Sequence, residues 1–225
     1  MAQPLAAVAS AVGELRKLQA MRPSAQRQHD LSTKGASTFA AILAAARKVF
    51  ERDGHAGLSL RKVASEAGIA VGNVNYYFPA REALVEAMLR EALGEFVAHH
   101  LAQIENQSGD PMKSLLDVIE FYVADARRSH PLFMQMWGYA ASGPKERDLI
   151  RELYRPIGRL VRALVVSIRP DANAKEVREI VLQLFSLEEG VKLFIALGPD
   201  EDPALATAEV HIRDLARRIV EGRRS

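Results

Sequence analysis

A chain of 225 residues that is 48% hydrophobic and 26% charged can bury a core of its own, as one domain or as a small domain joined to a larger one, which excludes a disordered tail. It contains no cysteine, so disulfides, thiolate metal sites and cysteine nucleophiles are excluded. The apolar runs at 40–46 and 160–168 are too short or too broken by charge to span a bilayer, and residues 1–20 lack the basic opening of a secretion signal, so the expected compartment is the cytoplasm.

Residues 1–34 join an Ala/Val/Leu stretch able to form a short amphipathic helix to a Gln/Ser/Arg/Pro stretch with no apolar period, and the whole is expected to be a mobile extension. Arg16, Lys17, Arg22 and Arg27 in it read as a solvated tail, with a DNA-touching arm as the alternative. From Phe39 the pattern turns helical. Ile42, Leu43, Ala46, Val49 and Phe50 recur at steps of three and four, with Ser37 or Thr38 as the expected cap and Gly54 as the stop. Ser59 then caps a short helix over 60–67 that Gly68 ends, and a third runs over 71–77 before Pro79. A long helix is expected over 80–107, followed by helices at 112–129, 131–141 and 145–168, the last kinked or split at Pro156. Two more, at 174–197 and 203–222, flank a turn at Gly198, Pro199 and Asp200. The fold class expected is all-α, since no alternating strand pattern, repeat or glycine-rich phosphate loop stands out.

Charge is distributed unevenly. Residues 1–81 hold 11 Lys or Arg against 5 Asp or Glu, a balance of +6; the other 144 hold 19 against 23, a balance of −4. Such asymmetry is what a protein shows when one end meets phosphate and the other does not.

About Gly68 the spacing is that of a helix-turn-helix. Val63, Ala64, Ile69 and Val74 fall where two short, steeply crossed helices need contact residues: Ala64 is small at the close approach, and Gly68 supplies the positive φ that a short turn requires. That arrangement turns Val71, Gly72, Asn73, Asn75, Tyr76 and Tyr77 outward, toward a major groove about 12 Å wide. Asn pairs with adenine edges, Val meets a thymine methyl, and Tyr hydroxyls bond phosphate. Arg61 on the preceding helix reaches guanine or phosphate, and Ser59 and Arg81 flank the unit as phosphate contacts. Phe78 reads as a core aromatic.

The run Ile42-Leu43-Ala44-Ala45-Ala46 through Phe50 and Gly54, then Ser59 to Ile69, then Gly72, and Tyr76-Tyr77-Phe78-Pro79-Ala80-Arg81-Glu82-Ala83-Leu84 resembles the TetR family of transcriptional regulators over roughly 39–84. The sequence departs from the family pattern at Asn75, usually tyrosine, at Tyr77, usually histidine, and at Val71, often lysine or another polar residue. Operator preference therefore does not carry over. The resemblance implies a two-domain, all-helical homodimer: a DNA-binding domain at 35–81 and a larger effector-binding and dimerisation domain at 82–225, whose last two long helices pair across a two-fold axis. It further implies a repressor released from a palindromic operator by a small molecule.

The broad apolar face of the helix over 174–197, including Val181, Phe185 and Phe194, independently suggests packing on two sides. Ile180, Leu184, Leu187, Val191 and Ile195, with Leu215 and Ile219 of the final helix, are the expected dimer interface. For the effector, Tyr122, His130, Phe133, Met134, Trp137 and Tyr139 cluster within twenty residues as an aromatic lining, the alternative being ordinary core. The acidic pairs Glu188/Glu189 and Asp117/Glu120 read as solvated faces or intersubunit salt bridges. No cofactor or metal is expected: the six histidines, His29, His55, His99, His100, His130 and His211, form no helical pair with a companion carboxylate in a metal pattern. Transcriptional activation and architectural DNA binding stay open as alternatives, with an all-helical enzyme behind them.

Overall fold

In the computed structural model the described residues are 2–23, 32–105, 110–198 and 202–222, and all regular structure among them is helical. The order is α1 (Ala2–Ala20), α2 (Thr33–Gly57), α3 (Leu60–Ala67), α4 (Val71–Tyr77), α5 (Arg81–Glu105), α6 (Pro111–Ala141), α7 (Pro144–Ile168), α8 (Ala174–Leu197), α9 (Pro203–Ala206) and α10 (Ala208–Glu221). Arg27, His29, the chain at 106–109 and the turn at Pro199 and Asp200 lie outside the described residues.

Local chemistry sets most of the boundaries. Ser32 caps α2, its hydroxyl accepting from the Gly35 amide at 3.2 Å, so the helix starts earlier than the Ser37/Thr38 cap expected. Gly54, at φ 70°, breaks its regular geometry near the expected stop. Asp110 accepts from the amides of Met112 and Lys113 at the start of α6. A reciprocal capping box opens α8: Asn173 accepts from Lys175 and Glu176 amides, and the Glu176 carboxylate accepts from the Asn173 amide at 2.7 Å. The last helix expected over 203–222 is divided at Thr207 into α9 and α10.

Neither proline divides its helix, although the sequence suggested separate helices on either side of position 130 and a kink or split at Pro156. Helix α6 runs through Pro131, and α7 through Pro156. A proline costs a helix its own N–H and crowds the carbonyl four residues back. Around Pro131 the chain is held from both sides, by buried Ala126 and Ser129 before it and Leu132 and Phe133 after it. The side chains of Ser129 and His130 bond the carbonyls of Asp125 and Ala126. Packing of that kind outweighs local propensity.

The chain divides into two compact units. The first comprises Arg16–His99 and Pro131–Tyr154; the second comprises Met1–Leu15, His100–His130 and Arg155–Ser225. The core of the first is built from α2 (Phe39, Ile42, Ala46, Val49, Phe50), α3 (Val63, Ala64), α4 (Val74) and α5 (Leu84, Met88, Leu89), with Phe133 and Met136 of α6 and Leu153 of α7. Each fully buried side chain such as Phe50 contributes on the order of 1.5–3 kcal/mol of hydrophobic stabilisation. In the second unit Val177, Ile180 and Leu184 of α8 and Ile212, Ala216 and Val220 of α10 are buried, and the two helices pack on each other.

The N-terminal segment corrects the expectation of a mobile extension across 1–34. Residues 2–20 are helical, with Ala11 and Leu15 buried in the second unit. In the first unit Leu18 packs on the core, and the Arg22 guanidinium donates to Glu91 at 2.9 Å. Arg22, read as part of a solvated tail with a DNA-touching arm as the alternative, is thereby held on α5. Leucine at positions 15 and 18 and alanines between polar residues give the segment a face to bury, which its polar composition downstream conceals.

Candidate nucleic-acid interface

The turn between α3 and α4 is made by backbone chemistry that only a few residues satisfy. Ser59 accepts from the Lys62 amide at 3.3 Å to start α3, and Gly68 ends it in the left-handed conformation, φ 67° and ψ 30°. The Gly68 and Ile69 amides then close onto the carbonyls of Ser65 and Ala64. Val63 and Ala64 are buried from α3, and on α4 Val74 alone is buried, at 0% exposure. With Val74 buried and Tyr77 half-buried, the other five residues of α4 face outward: Val71, Gly72, Asn73, Asn75 and Tyr76 are all exposed, Tyr76 at 78%. A valine and a phenol ring on one outward helix face give a partner both an apolar contact and a hydroxyl to engage.

Ion pairs brace α3 on α2. Lys62 donates to Asp53 at 2.8 Å, and Arg52 reaches both Asp53 and Glu66. The hydrogen bonds from Arg52 and Lys62 hold the Asp53 carboxyl at about 2, below the ordinary carboxylate range. Lys62 is thus engaged while its neighbour Arg61 is exposed and has no ion-pair partner among the described residues, leaving its fork of donors for an external acceptor. No sequence signal marked this brace, because its partners lie on different helices.

Two of the expected contact residues have work inside the protein. Tyr77 is half-buried, its ring edge-on to Phe39 at 5.8 Å and its hydroxyl donating to the Gly35 carbonyl at 3.3 Å. Phe78, buried as expected, stacks on Phe39 at 5.1 Å. Arg81 turns its guanidinium onto His55, whose pKa is lowered by burial and then by that positive charge. The exposed surface is accordingly narrower than the sequence reading: Arg61, Val71, Gly72, Asn73, Asn75 and Tyr76, with half-buried Ser59 beside it serving as the cap of α3.

The expected effector residues belong to both units. Phe133 packs on Phe96 at 5.6 Å and Tyr139 lies against His55 at 4.8 Å, both in the core of the first unit, where Met134 and Trp137 are half-buried. Tyr122 and His130 belong to the second unit, His130 bonding the Ala126 carbonyl at 3.1 Å. Beside Tyr122 lies a feature that the sequence hid. Lys192 is 1% exposed, its ammonium 2.7 Å from Glu188, 3.5 Å from Glu189 and 5.1 Å from the Tyr122 ring centre. Glu188 is buried rather than on a solvated face, and burial pushes Glu189 up to about 7. The i, i+4 spacing of Glu188 and Lys192 was legible; their burial was not. Asp117 and Glu120 pair within the chain with Arg213, Asp117 also taking Lys113.

The interface residues divide as well. Ile180 and Leu184 are consumed by the protomer's own core, which corrects their assignment to a partner; Leu187, Val191, Ile195 and Ile219 are half-buried, and Leu215 is exposed. The outward apolar residues of α8 are instead Leu182 and Phe194, which share an i, i+4 stripe with Ser186 and Gly190, and the adjacent i, i+4 pair Leu193 and Leu197. Val210 is a further exposed apolar residue on α10.

No described helix is long and apolar enough to cross a membrane, and no group of three or more metal-binding side chains occurs among the described residues. Residues 42–88 match the family described as bacterial regulatory proteins, tetR family. The chain is 43% identical over 58 residues to the HTH-type transcriptional regulator RutR of Escherichia coli (strain K12), a stretch covering 26% of this chain and 27% of that protein. It is 28% identical over 182 residues to the HTH-type transcriptional regulator BetI of Burkholderia mallei, covering 78% and 92% respectively. Its fold is similar to that of the transcriptional regulator FadR of Bacillus subtilis, solved in complex with stearoyl-CoA, with a TM-score of 0.69, 18% identity, and coverage of 83% of this chain and 100% of that one.

Proposed function

We propose that this chain, whose residues 42–88 match the family described as bacterial regulatory proteins, tetR family, is a TetR-family DNA-binding transcriptional regulator: a cytoplasmic homodimeric repressor, released from a palindromic operator by a small molecule and acting by binding rather than by catalysis. One observation carries the reading. Apart from Met21, the large apolar side chains left exposed among the described residues fall in two places: Val71 and Tyr76 on α4, and Leu182, Leu193, Phe194, Leu197, Val210 and Leu215 on α8 and α10. The first set suits a DNA groove and the second suits a second copy of the chain. Ser59 and Arg61 anchor phosphate or guanine, and Val71, Asn73, Asn75 and Tyr76 read base edges.

The effector is proposed to enter the second unit, where Tyr122 and the buried Lys192, Glu188 and Glu189 supply an aromatic wall and strong polar groups. The stearoyl-CoA complex of the B. subtilis relative supports a small-molecule ligand of some kind for this fold. Helix α5 has residues 81–99 in the first unit and 100–105 in the second, so the chain itself carries a shift from one to the other. Half-sites lie about one DNA turn apart, roughly 34 Å, so a few ångströms of displacement disfavours simultaneous engagement.

Selection of bound fragments from the source genome tests this. The expected result is a palindromic site whose affinity falls when the effector is added, and reciprocal weakening of effector binding by operator DNA. Uniform affinity for all duplexes at fixed salt would instead establish an architectural binder.

A further inference from the structure

Helices α1 and α7 enclose an open groove of about 340 Å³ within the second unit. Buried Ala11 of α1 and Ala163 of α7, with half-buried Val166, form its apolar part; exposed Ala7 and Ser10 line it further, and Glu14, Arg159 and Arg162 bring charge to it. The volume exists because alanines stand where larger residues would fill the space between the helices. A methyl-lined floor offers water few hydrogen bonds, so it favours an alkyl group over solvent.

The charges on the rim do not cancel. Glu14 accepts from Arg159 at 2.6 Å, which neutralises one guanidinium. Arg162 is exposed and has no ion pair among the described residues, so the rim retains one unmatched positive charge. One cation above an apolar trough calls for one anion with an apolar tail, and the volume lies at the small end of ligand sites, which run from about 300 to 1,000 Å³. We propose that this groove binds a small single-chain alkyl carboxylate, its chain on Ala7, Ala11 and Ala163 and its carboxylate on Arg162. The site is separate from the effector reading above and stands without it.

Titration of the full-length protein with octanoate, followed by calorimetry and by ligand NMR, tests the assignment. The expected result is saturable binding of one octanoate per protomer, weakened about tenfold by Arg162→Gln, a loss typical of one charge-assisted hydrogen bond. It should be abolished by Ala163→Leu, which fills the trough, and octanol should bind more weakly than octanoate. Arg162 is exposed, so the glutamine variant tests the idea even where the leucine variant perturbs the fold. Equal binding by wild type and Arg162→Gln would place the ligand elsewhere and overturn the proposal. So would the absence of saturation, or binding confined to phosphatidylglycerol vesicles, which would mark a membrane-surface contact. Because the readout involves no DNA, failure here leaves the operator reading untouched, and failure of operator binding leaves this result untouched.

Discussion

Tyr76 and Arg61 are exposed and have no part in the core, so their replacement isolates what they do for a partner. Tyr76→Ala and Arg61→Ala are each expected to lower operator affinity about tenfold to a hundredfold, the range of one good base or phosphate contact, without shifting the melting temperature. A binding titration beside a thermal melt separates the two effects, and unchanged affinity in both variants would displace the recognition surface from α4. Glu189 makes a different prediction, of stability against pH. Its carboxyl is raised from the ordinary 4.5 to about 7, first by burial and then by Glu188, against the pull of Lys192. The folded state therefore holds this proton more tightly than the unfolded chain, and stability falls as pH rises from about 4.5 to 7, with the whole penalty present above 7. At about 1.4 kcal/mol per pH unit the penalty has an upper limit of about 3.5 kcal/mol, reduced by the side chain's partial exposure. Glu189→Gln mimics the protonated form. It is expected to melt several degrees above the wild type at pH 8 and together with it at pH 4.5; a pH-independent difference would refute the assignment.

Elements were legible in the sequence where local chemistry decides them. Helices α3 and α4 fall at the expected residues because Ser59, Gly68 and Pro79 each act through the backbone within a few positions. The turn gives a paired prediction. Gly68 has open space around an added Cβ but sits at φ +67°, so Gly68→Ala costs about 1–2 kcal/mol of backbone conformation alone. Gly72 also has open space but lies in a helix with ordinary φ, so Gly72→Ala should stabilise the free protein by up to about 1 kcal/mol. Opposite shifts in melting temperature are the expected outcome, and a fall in both would show that the space at 72 is needed in the free chain. What the sequence concealed depends on contacts between distant residues. The prolines of α6 and α7 looked like breaks because their neighbours' burial is tertiary. Arg81 looked like a phosphate ligand until His55, twenty-six residues away, was found against it. The aromatic run at 122–139 looked like one lining, whereas the chain commits Phe133 and Tyr139 to one unit and Tyr122 to the other.

For the molecule as a whole, the question is what covers the outer face of α8. Apolar residues on both sides of α8 lead to the expectation of two neighbours without saying which residues would serve which; Ile180 and Leu184 are buried, and Leu182, Leu193, Phe194 and Leu197 are exposed. Phe194→Glu combined with Leu193→Glu puts two charges on that face while touching nothing buried, and is expected to yield a folded monomer in sedimentation. Its consequences at DNA follow from linkage. In the proposed dimer, two recognition helices would gain from the second half-site an effective concentration that raises avidity by about 10²–10⁴, which a monomer forfeits. The salt dependence should change with it: the slope of log affinity against log salt counts neutralised phosphates, so a monomer on a half-site should show about half the slope of the dimer. A variant that remains dimeric would move the interface off α8. A monomer that keeps full affinity and full slope would show that one protomer makes every phosphate contact, and the two-fold arrangement would then have no part in operator binding.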